Sequence, residues 1–169
     1  MQYLPNWLQY AVTQRNDYGC IPTGYEFLLR AADIPNIDFN TFQEDMDLDL
    51  DLRQRGGRDP QNNFESVMNR IVAKYPHVQI TTQPFVRGEE KLKCLENRFD
   101  EGKFTIVSIP GVRSWHISPL IGASHTAIQI LNRFYATGQA EIVTILKADL
   151  VRVHNEKPGG RDIAFLTGH

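Results

Sequence analysis

The sequence has too few cysteines for a disulfide framework, since its 169 residues include only Cys20 and Cys94. It also has no apolar run of the roughly 20 residues that a membrane helix needs. Its first residues carry neither the basic head nor the apolar stretch of a secretion signal. We therefore expect a cytoplasmic protein with two free thiols and no membrane partner.

An excess of one charge is absent too, because 18 basic side chains face 20 acidic ones and the formal net charge is −2. Such a chain has no positive field for a phosphate backbone, so we expect no nucleic-acid partner. Hydrophobic residues make up 41% of the sequence, which excludes disordered and fibrous classes. The length predicts a single domain over residues 1–169, in an oligomeric state that the sequence leaves open.

Helical periodicity dominates the first part of the chain and short apolar runs separated by turns dominate the second. The short loops favour antiparallel neighbours, with the last strand at an edge. This predicts an α+β fold, with a helical part over about 1–101 and a mostly antiparallel sheet over about 102–169. Alternation within 45–52 also permits a strand there. The predicted helices are 20–32, 41–53, 60–75 (burying Val72), 88–102 and 147–154, and the predicted strands are 78–82, 104–109, 115–121, 126–131, 141–146 and 163–166.

Cys20 stands where the first predicted helix begins. A thiol at a helix N-terminus is close to unpaired N–H groups and the positive end of the helix dipole, and both are expected to lower its pKa. Gly19 leaves the approach to the sulfur open, and the N–H of Cys20 could donate to an oxyanion. Gln14 carries an amide that could donate a second bond. The alternative is that Cys20 is a buried small hydrophobe, as most free cysteines are.

His116 and Asn132 stand at the start of one predicted strand and the end of the next. If the two strands form a hairpin, both residues reach the same edge of the sheet. The side-chain oxygen of Asn132 would then accept from one ring nitrogen and orient the imidazole, and the other nitrogen would face Cys20. Trp115 could shield the ring or form a wall of a substrate groove, or it could be a core residue. The alternative for His116 is a satisfied surface histidine.

The order Gln14-x5-Cys20 at a helix start, then a strand-opening His and a strand-closing Asn, resembles the papain-like cysteine peptidases. The compact length is most similar to the double-glycine leader-peptidase (bacteriocin-processing) type and its stand-alone relatives. In those proteins a strand that begins Gly-Lys precedes the His strand, and Gly102-Lys103-Phe-Thr-Ile-Val-Ser-Ile matches it. The resemblance covers about residues 8–167.

The resemblance implies a papain-like fold in which the nucleophile-bearing helix packs on the sheet. It also implies a thiol hydrolase that acts on a peptide or protein substrate without a cofactor. The implied roles are Cys20 as nucleophile, His116 as general base and acid, Asn132 as orienter and Gln14 as oxyanion donor. Gly19 and Trp115 would contact substrate. The alternatives are an amidase or acyltransferase, an inactive papain-like domain that binds a peptide or protein partner, and a plain structural subunit.

Other residues give weaker signals. Asp47-x-Asp49-x-Asp51 has the opening spacing of a calcium loop but lacks its glycine and closing glutamate, which favours a solvated acidic face. His125 is a rival base that falls in a predicted turn. Cys94 lies on the apolar face of its predicted helix, which favours a core position. No Cys or His pair has zinc-ligand spacing, so no metal is predicted.

Overall fold

The fold is an antiparallel sheet with helices on both faces. The computed structural model describes residues 1–110, 115–157 and 159–169, with only the backbone of Pro110 and Trp115. Within these residues the elements, in chain order, are β1 (Gln2–Tyr3), α1 (Trp7–Tyr10), α2 (Cys20–Ala31), α3 (Phe42–Met46), α4 (Leu48–Gln54), α5 (Phe64–Lys74), β2 (Ile80–Pro84), α6 (Gly88–Asp100), β3 (Thr105–Pro110), β4 (Trp115–Ala123), β5 (Ala127–Phe134), β6 (Ala140–Leu146), α7 (Lys147–Glu156) and β7 (Asp162–Leu166).

The sheet has the strand order β2-β7-β3-β4-β5-β6, and β1 pairs with the far end of β4. Each of these pairings is antiparallel, as the sequence predicts. The predicted edge position of the last strand is wrong, because β7 lies between β2 and β3. Burial explains this position, since Ile163 and Ala164 are both fully buried and their side chains need cover on both faces of the sheet.

Two apolar clusters cover the two faces of the sheet. On one face, α2, α3 and α5 pack against the sheet around Ile106, Ile117 and Leu131. On the other, α6 and α7 pack around Val107 and Ile163. The division into a helical part and a sheet part is therefore not strict, because β1 and β2 come from the first 101 residues and α7 from the last 68.

Helix α2 crosses the sheet at close range. Its buried face carries Tyr25, Leu28 and Leu29 at the spacing that predicted the helix. Gly24 makes the close packing possible, since a Cβ at this position would stand 3.2 Å from Cγ2 of Ile106. The helix therefore presents its N-terminus beside strands β3 and β4.

The predicted helix over 41–53 is two helices, α3 and α4, and the alternative strand does not form there. The break is at Asp47, whose Oδ1 accepts from the N–H groups of Asp49 and Leu50, both at 3.0 Å, and so caps α4. A second correction concerns α5, where Val72 is 38% exposed although the sequence predicted its burial. In the described residues, no helix is long and apolar enough to cross a membrane.

Candidate active site

The N-terminus of α2 holds Cys20 as its first residue. Gly19 precedes it and has no side chain to cap the helix, and the first turn contains no acidic residue. The N–H groups of Cys20 and Ile21 are therefore not taken by a capping side chain, while Pro22 has no N–H to satisfy. The helix start thus offers main-chain donors beside the sulfur, as an oxyanion site requires.

Gly19 itself is buried, and its contact with substrate stays a prediction. A Cβ at Gly19 would lie 3.0 Å from the carbonyl oxygen of Asn16 and 3.6 Å from Oδ2 of Asp47. Its N–H donates to that same Asn16 oxygen at 3.1 Å. The glycine therefore lets the chain turn tightly into α2.

All four predicted catalytic residues line one cleft of about 630 Å³. They come from four separate parts of the chain: the segment before α2, the start of α2, strand β4 and strand β5. The cleft is also lined by apolar side chains, among them Phe27, Pro119, Leu131 and Phe134. An apolar cleft with a few polar groups converging in it is the usual form of a binding or catalytic site.

His116 is oriented by the main chain of residue 132. Its Nε2 lies 3.3 Å from the Asn132 carbonyl oxygen. Because a carbonyl can only accept, this contact requires the proton on Nε2 and leaves Nδ1 with a lone pair. The imidazole is therefore held in the tautomer of a general base.

The side chain of Asn132 does not make the contact that the sequence predicted for it. Asn132 is the extra residue of a bulge in β5, between Leu131, which pairs with Ile142, and Arg133, which pairs with Glu141. Bulges redirect the residue that they insert, and here the carbonyl turns toward His116. The Asn132 amide donates instead to Glu141 Oε1 at 3.0 Å.

The pKa of Cys20 is raised above its ordinary value of 9.0, contrary to the expectation of a lowered one. Burial of the thiol is the main cause, and the Asp49 carboxylate adds to it. Main-chain hydrogen bonds from Ile117, Cys20 and Ile21 act in the opposite direction. The helix start does favour the thiolate, but burial outweighs it. The hydrogen bond from Ile117 also places the residue after His116 within reach of the sulfur.

The pKa of His116 is lowered from its ordinary value of 6.5, mainly by burial of the ring. The hydrogen bond to Asn132 and the Glu141 carboxylate raise the pKa, and Arg133 lowers it further. The raised pKa of Cys20 and the lowered pKa of His116 both favour the uncharged form of the group. At neutral pH the resting site therefore holds a thiol and an uncharged imidazole.

Gln14 is exposed at the cleft, and its Nε2 donates to the Asn16 carbonyl at 2.7 Å. A primary amide has two N–H donors, so one remains for another acceptor while the first fixes the plane of the group. Asn16 lines the cleft as well, and in the described residues its Nδ2 is buried without a hydrogen-bond partner. No sequence signal pointed to Asn16, because a lone Asn in a loop is ordinary turn chemistry.

The acidic run is not the solvated face that the sequence favoured. Asp47 and Asp49 are 0% and 5% exposed, and Asp49 lines the cleft. Their oxygens accept from main-chain N–H groups and from the Asn62 amide, which ties the loop before α5 to α4. In the described part of the chain, no group of three His, Cys, Asp or Glu side chains could hold a metal ion.

The remaining candidates lie away from Cys20 and His116, or outside the residues that the structure describes. His125 is exposed in the β4–β5 turn, at the opposite end of the hairpin from His116. Cys94 packs at the margin of the second apolar cluster, and burial raises the pKa of its thiol. The side chain of Trp115 lies outside the described residues, so its contact with substrate stays a prediction.

Comparisons with known proteins support the fold. A crystal structure of a Bacillus anthracis protein, provisionally described as a C39-like peptidase, superposes with a TM-score of 0.58 and 12% identity. The match covers 100% of this chain and 99% of the other.

The chain shares the fold of that C39-like protein. This supports the predicted papain-like peptidase fold, and the narrower leader-peptidase type stays a prediction. No protein-family model and no curated protein matches the chain.

Proposed function

We propose that the protein is a cysteine peptidase, a thiol hydrolase that uses Cys20 as nucleophile and His116 as base. The observation that carries the proposal is the meeting of these two residues with Gln14 in one cleft, with the neutral imidazole held so that Nδ1 is its basic nitrogen. The shared fold with a C39-like protein supports the same class of reaction.

In the proposed reaction, Nδ1 of His116 removes the proton of the Cys20 thiol as the sulfur attacks a peptide carbonyl. The negative charge passes to the carbonyl oxygen, which accepts from the Cys20 N–H and the free N–H of Gln14. The C–N bond then breaks, and His116 returns the proton to the leaving amine. Water, deprotonated by His116, hydrolyses the thioester and restores the thiol.

The proposal is tested with a mixture of short peptides, with new chain ends detected by mass spectrometry. The parent protein should generate new ends, and Cys20→Ala should generate none. Cys94→Ala is the matched control and should act like the parent. If Cys20→Ala cleaved the peptides as fast as the parent, the proposal would be wrong. An added amine that appears in the products would identify an acyltransferase.

Gln14→Ala tests the oxyanion role separately. Loss of one oxyanion donor costs about 10²–10³-fold in kcat, because the charge on the carbonyl oxygen forms only during the reaction. We expect Gln14→Ala to fold normally, since its side chain is exposed, and to lose about 100-fold in kcat with little change in KM. If Gln14→Ala lowered the free energy of unfolding enough to leave much of the protein unfolded, the loss of kcat would not support this role.

A further inference from the structure

Gln43 is a buried glutamine whose amide uses its full hydrogen-bonding capacity. It lies on α3 and is 2% exposed, so it cannot itself meet substrate. Its Nε2 donates to the Thr13 carbonyl and to Glu26 Oε2, both at 2.9 Å. Its Oε1 accepts from the Arg15 N–H at 2.9 Å and, at 3.1 Å, shares the Thr23 hydroxyl with the Gly19 carbonyl, which lies 2.7 Å from Thr23 Oγ1.

Two of these four bonds hold the main chain on either side of Gln14. Residues 12–15 have no regular secondary structure, so neither a helix nor a strand supplies the hydrogen bonds of Thr13 and Arg15. The Gln43 amide supplies them at Thr13 and Arg15. The other two bonds attach the same amide to α2, through Thr23 and Glu26.

The carboxylate of Glu26, on α2, holds the Gln43 amide in place. Glu26 is 1% exposed, and its carboxylate pairs with Arg30 at 2.7 Å and with Arg15 at 3.5 Å. A buried carboxylate with two cationic partners holds a hydrogen-bonded amide more firmly than a neutral group would. Gln43 is thereby fixed relative to the helix that begins with Cys20.

We infer that Gln43 is a positioning residue that sets where the Gln14 amide stands relative to the Cys20 N–H. The inference rests on the proposed function, because it needs Gln14 to be the oxyanion donor. Its physical basis is that an oxyanion site is effective only when its donors are held in place before charge develops. Without the Gln43 bonds, the main chain on either side of Gln14 would lose the amide that joins it to α2, although the Arg15–Glu26 ion pair at 3.5 Å would remain.

The test compares two reactions of the same thiol at about pH 8, where little of it is ionised. In acylation by p-nitrophenyl acetate, the sulfur adds to the carbonyl, an oxyanion forms, and p-nitrophenolate leaves. In alkylation by iodoacetamide, the sulfur displaces iodide at carbon and no oxyanion forms. The ratio of the two rates therefore reports the oxyanion donors and not the general state of the thiol. Cys94→Ser in every variant removes the second thiol.

Gln43→Met keeps the length of the side chain and removes all four hydrogen bonds. We expect it to slow acylation roughly 30–100-fold, as Gln14→Ala does, and to leave alkylation within about twofold. In the Gln14→Ala background the same change should have no further effect beyond about twofold, since Gln43 acts through Gln14. Tyr25→Phe is the matched control: it removes a buried bond to the Phe64 carbonyl and should leave the ratio unchanged.

Three results would overturn the inference: equal slowing of both reactions by Gln43→Met, unchanged acylation, or losses that multiply in the double variant. A Gln14→Ala protein that is acylated at the parent rate would also overturn it, because no donor would need positioning. If Cys20→Ala released p-nitrophenolate in the same burst as the parent, the proposed nucleophile would be wrong as well. If Cys20→Ala releases no burst and Gln14→Ala slows acylation, then losses that multiply in the Gln43→Met, Gln14→Ala double variant contradict only the role of Gln43.

Discussion

At the scale of single residues, the imidazole of His116 depends on a main-chain oxygen. The contact from Nε2 to the Asn132 carbonyl fixes the tautomer without help from the Asn132 side chain. A carbonyl cannot ionise, so this orientation persists at any pH at which the fold persists. The side chain at position 132 is free to differ, provided that the bulge in β5 remains.

Asn132→Ala should therefore keep most of the proposed peptidase activity, within about threefold of the parent. A triad that depends on the third side chain loses about 10⁴-fold when that group is replaced. His116→Ala, the control, should abolish turnover. Steady-state kinetics on a cleaved peptide decides the point, and a loss near 10⁴-fold in Asn132→Ala would show that the side chain takes over in the complex.

The two pKa changes at the site give a second residue-scale prediction. With the His116 pKa below 6.5 and the Cys20 pKa above 9.0, the neutral pair fills the range between them. Activity should fall as pH drops through the lower pKa, because a protonated imidazole cannot act as base. It should fall again as pH rises through the upper pKa, because a thiolate beside neutral His116 leaves no proton for the leaving amine.

Alkylation by iodoacetamide checks that prediction directly, since only the thiolate reacts. The rate at Cys20 should be low at pH 6.5 and should still be rising with pH at pH 9.0, because the pKa of the thiol is raised above that value. A plateau that extended from acid to neutral pH would instead indicate a thiolate–imidazolium pair at rest, contrary to the burial of both groups.

At the scale of elements, the distance between α2 and the sheet sets the distance between Cys20 and His116, the proposed nucleophile and base. Gly24 lies one turn after Cys20, against Ile106 and Ile117, and Ile117 follows His116 in β4. A side chain at position 24 would have to displace Ile106, which is fully buried and β-branched and so has little freedom to move.

Gly24→Ala should change the acylation rate of Cys20 without a matching change in the stability of the fold. Alanine favours a helix over glycine by about 1 kcal/mol, which offsets part of the strain against Ile106. We expect a small change in Tm but a loss of at least about tenfold in Cys20 acylation, because a small displacement at the site is costly. Ile106→Val in the same protein removes Cδ1, which the new Cβ would approach at 3.3 Å, and should restore part of the rate. Unchanged acylation in Gly24→Ala would contradict the argument.

At the scale of the whole molecule, Lys91 links α6 to the sheet on the face opposite α2. It is 1% exposed, and its Nζ donates to the carbonyls of Ser108 and Gly160. Burial lowers its pKa from 10.5 to about 8, with Asp162 opposing the change. Between these two values the unfolded chain holds a proton that the folded chain has released, so this group makes the fold more stable as pH rises.

Lys91→Met removes that dependence. The free energy of unfolding of the parent, minus that of Lys91→Met, should rise by about 2–3 kcal/mol between about pH 7 and pH 10. The difference is needed because the raised pKa values of Cys20 and Cys94 act in the opposite direction in both proteins. Urea unfolding across this range is the measurement, and parallel curves for the two proteins would contradict it.

Local patterns predicted most of the elements, but not β1 or α1, and they indicated the candidate catalytic residues. The spacing of Tyr25, Leu28 and Leu29 predicted α2, and Cys20 at its start follows from the same pattern. Features that depend on distant contacts were missed. The cap by Asp47 divides a helix that periodicity joins, and burial reverses the expected change in the Cys20 pKa.

The strand order and the role of Gln43 also depend on distant contacts, so the sequence did not predict them. Periodicity identified β7 as a strand, but only pairing with β2 and β3 shows that it is central. In the sequence Gln43 is one polar residue of an acidic helix, and nothing local distinguishes it. Its importance lies in partners that are 17 to 30 residues away in the chain.

The central position of β7 has a consequence for biosynthesis. Until the ribosome has added residue 166, strand β3 has no neighbour on one side and β2 has none in the sheet at all. Strand β4, which carries His116, then pairs with a β3 whose other edge is not yet covered by β7. In the growing polypeptide, the site proposed for a cysteine peptidase would thus stay incomplete until β7 has left the ribosome and joined the sheet.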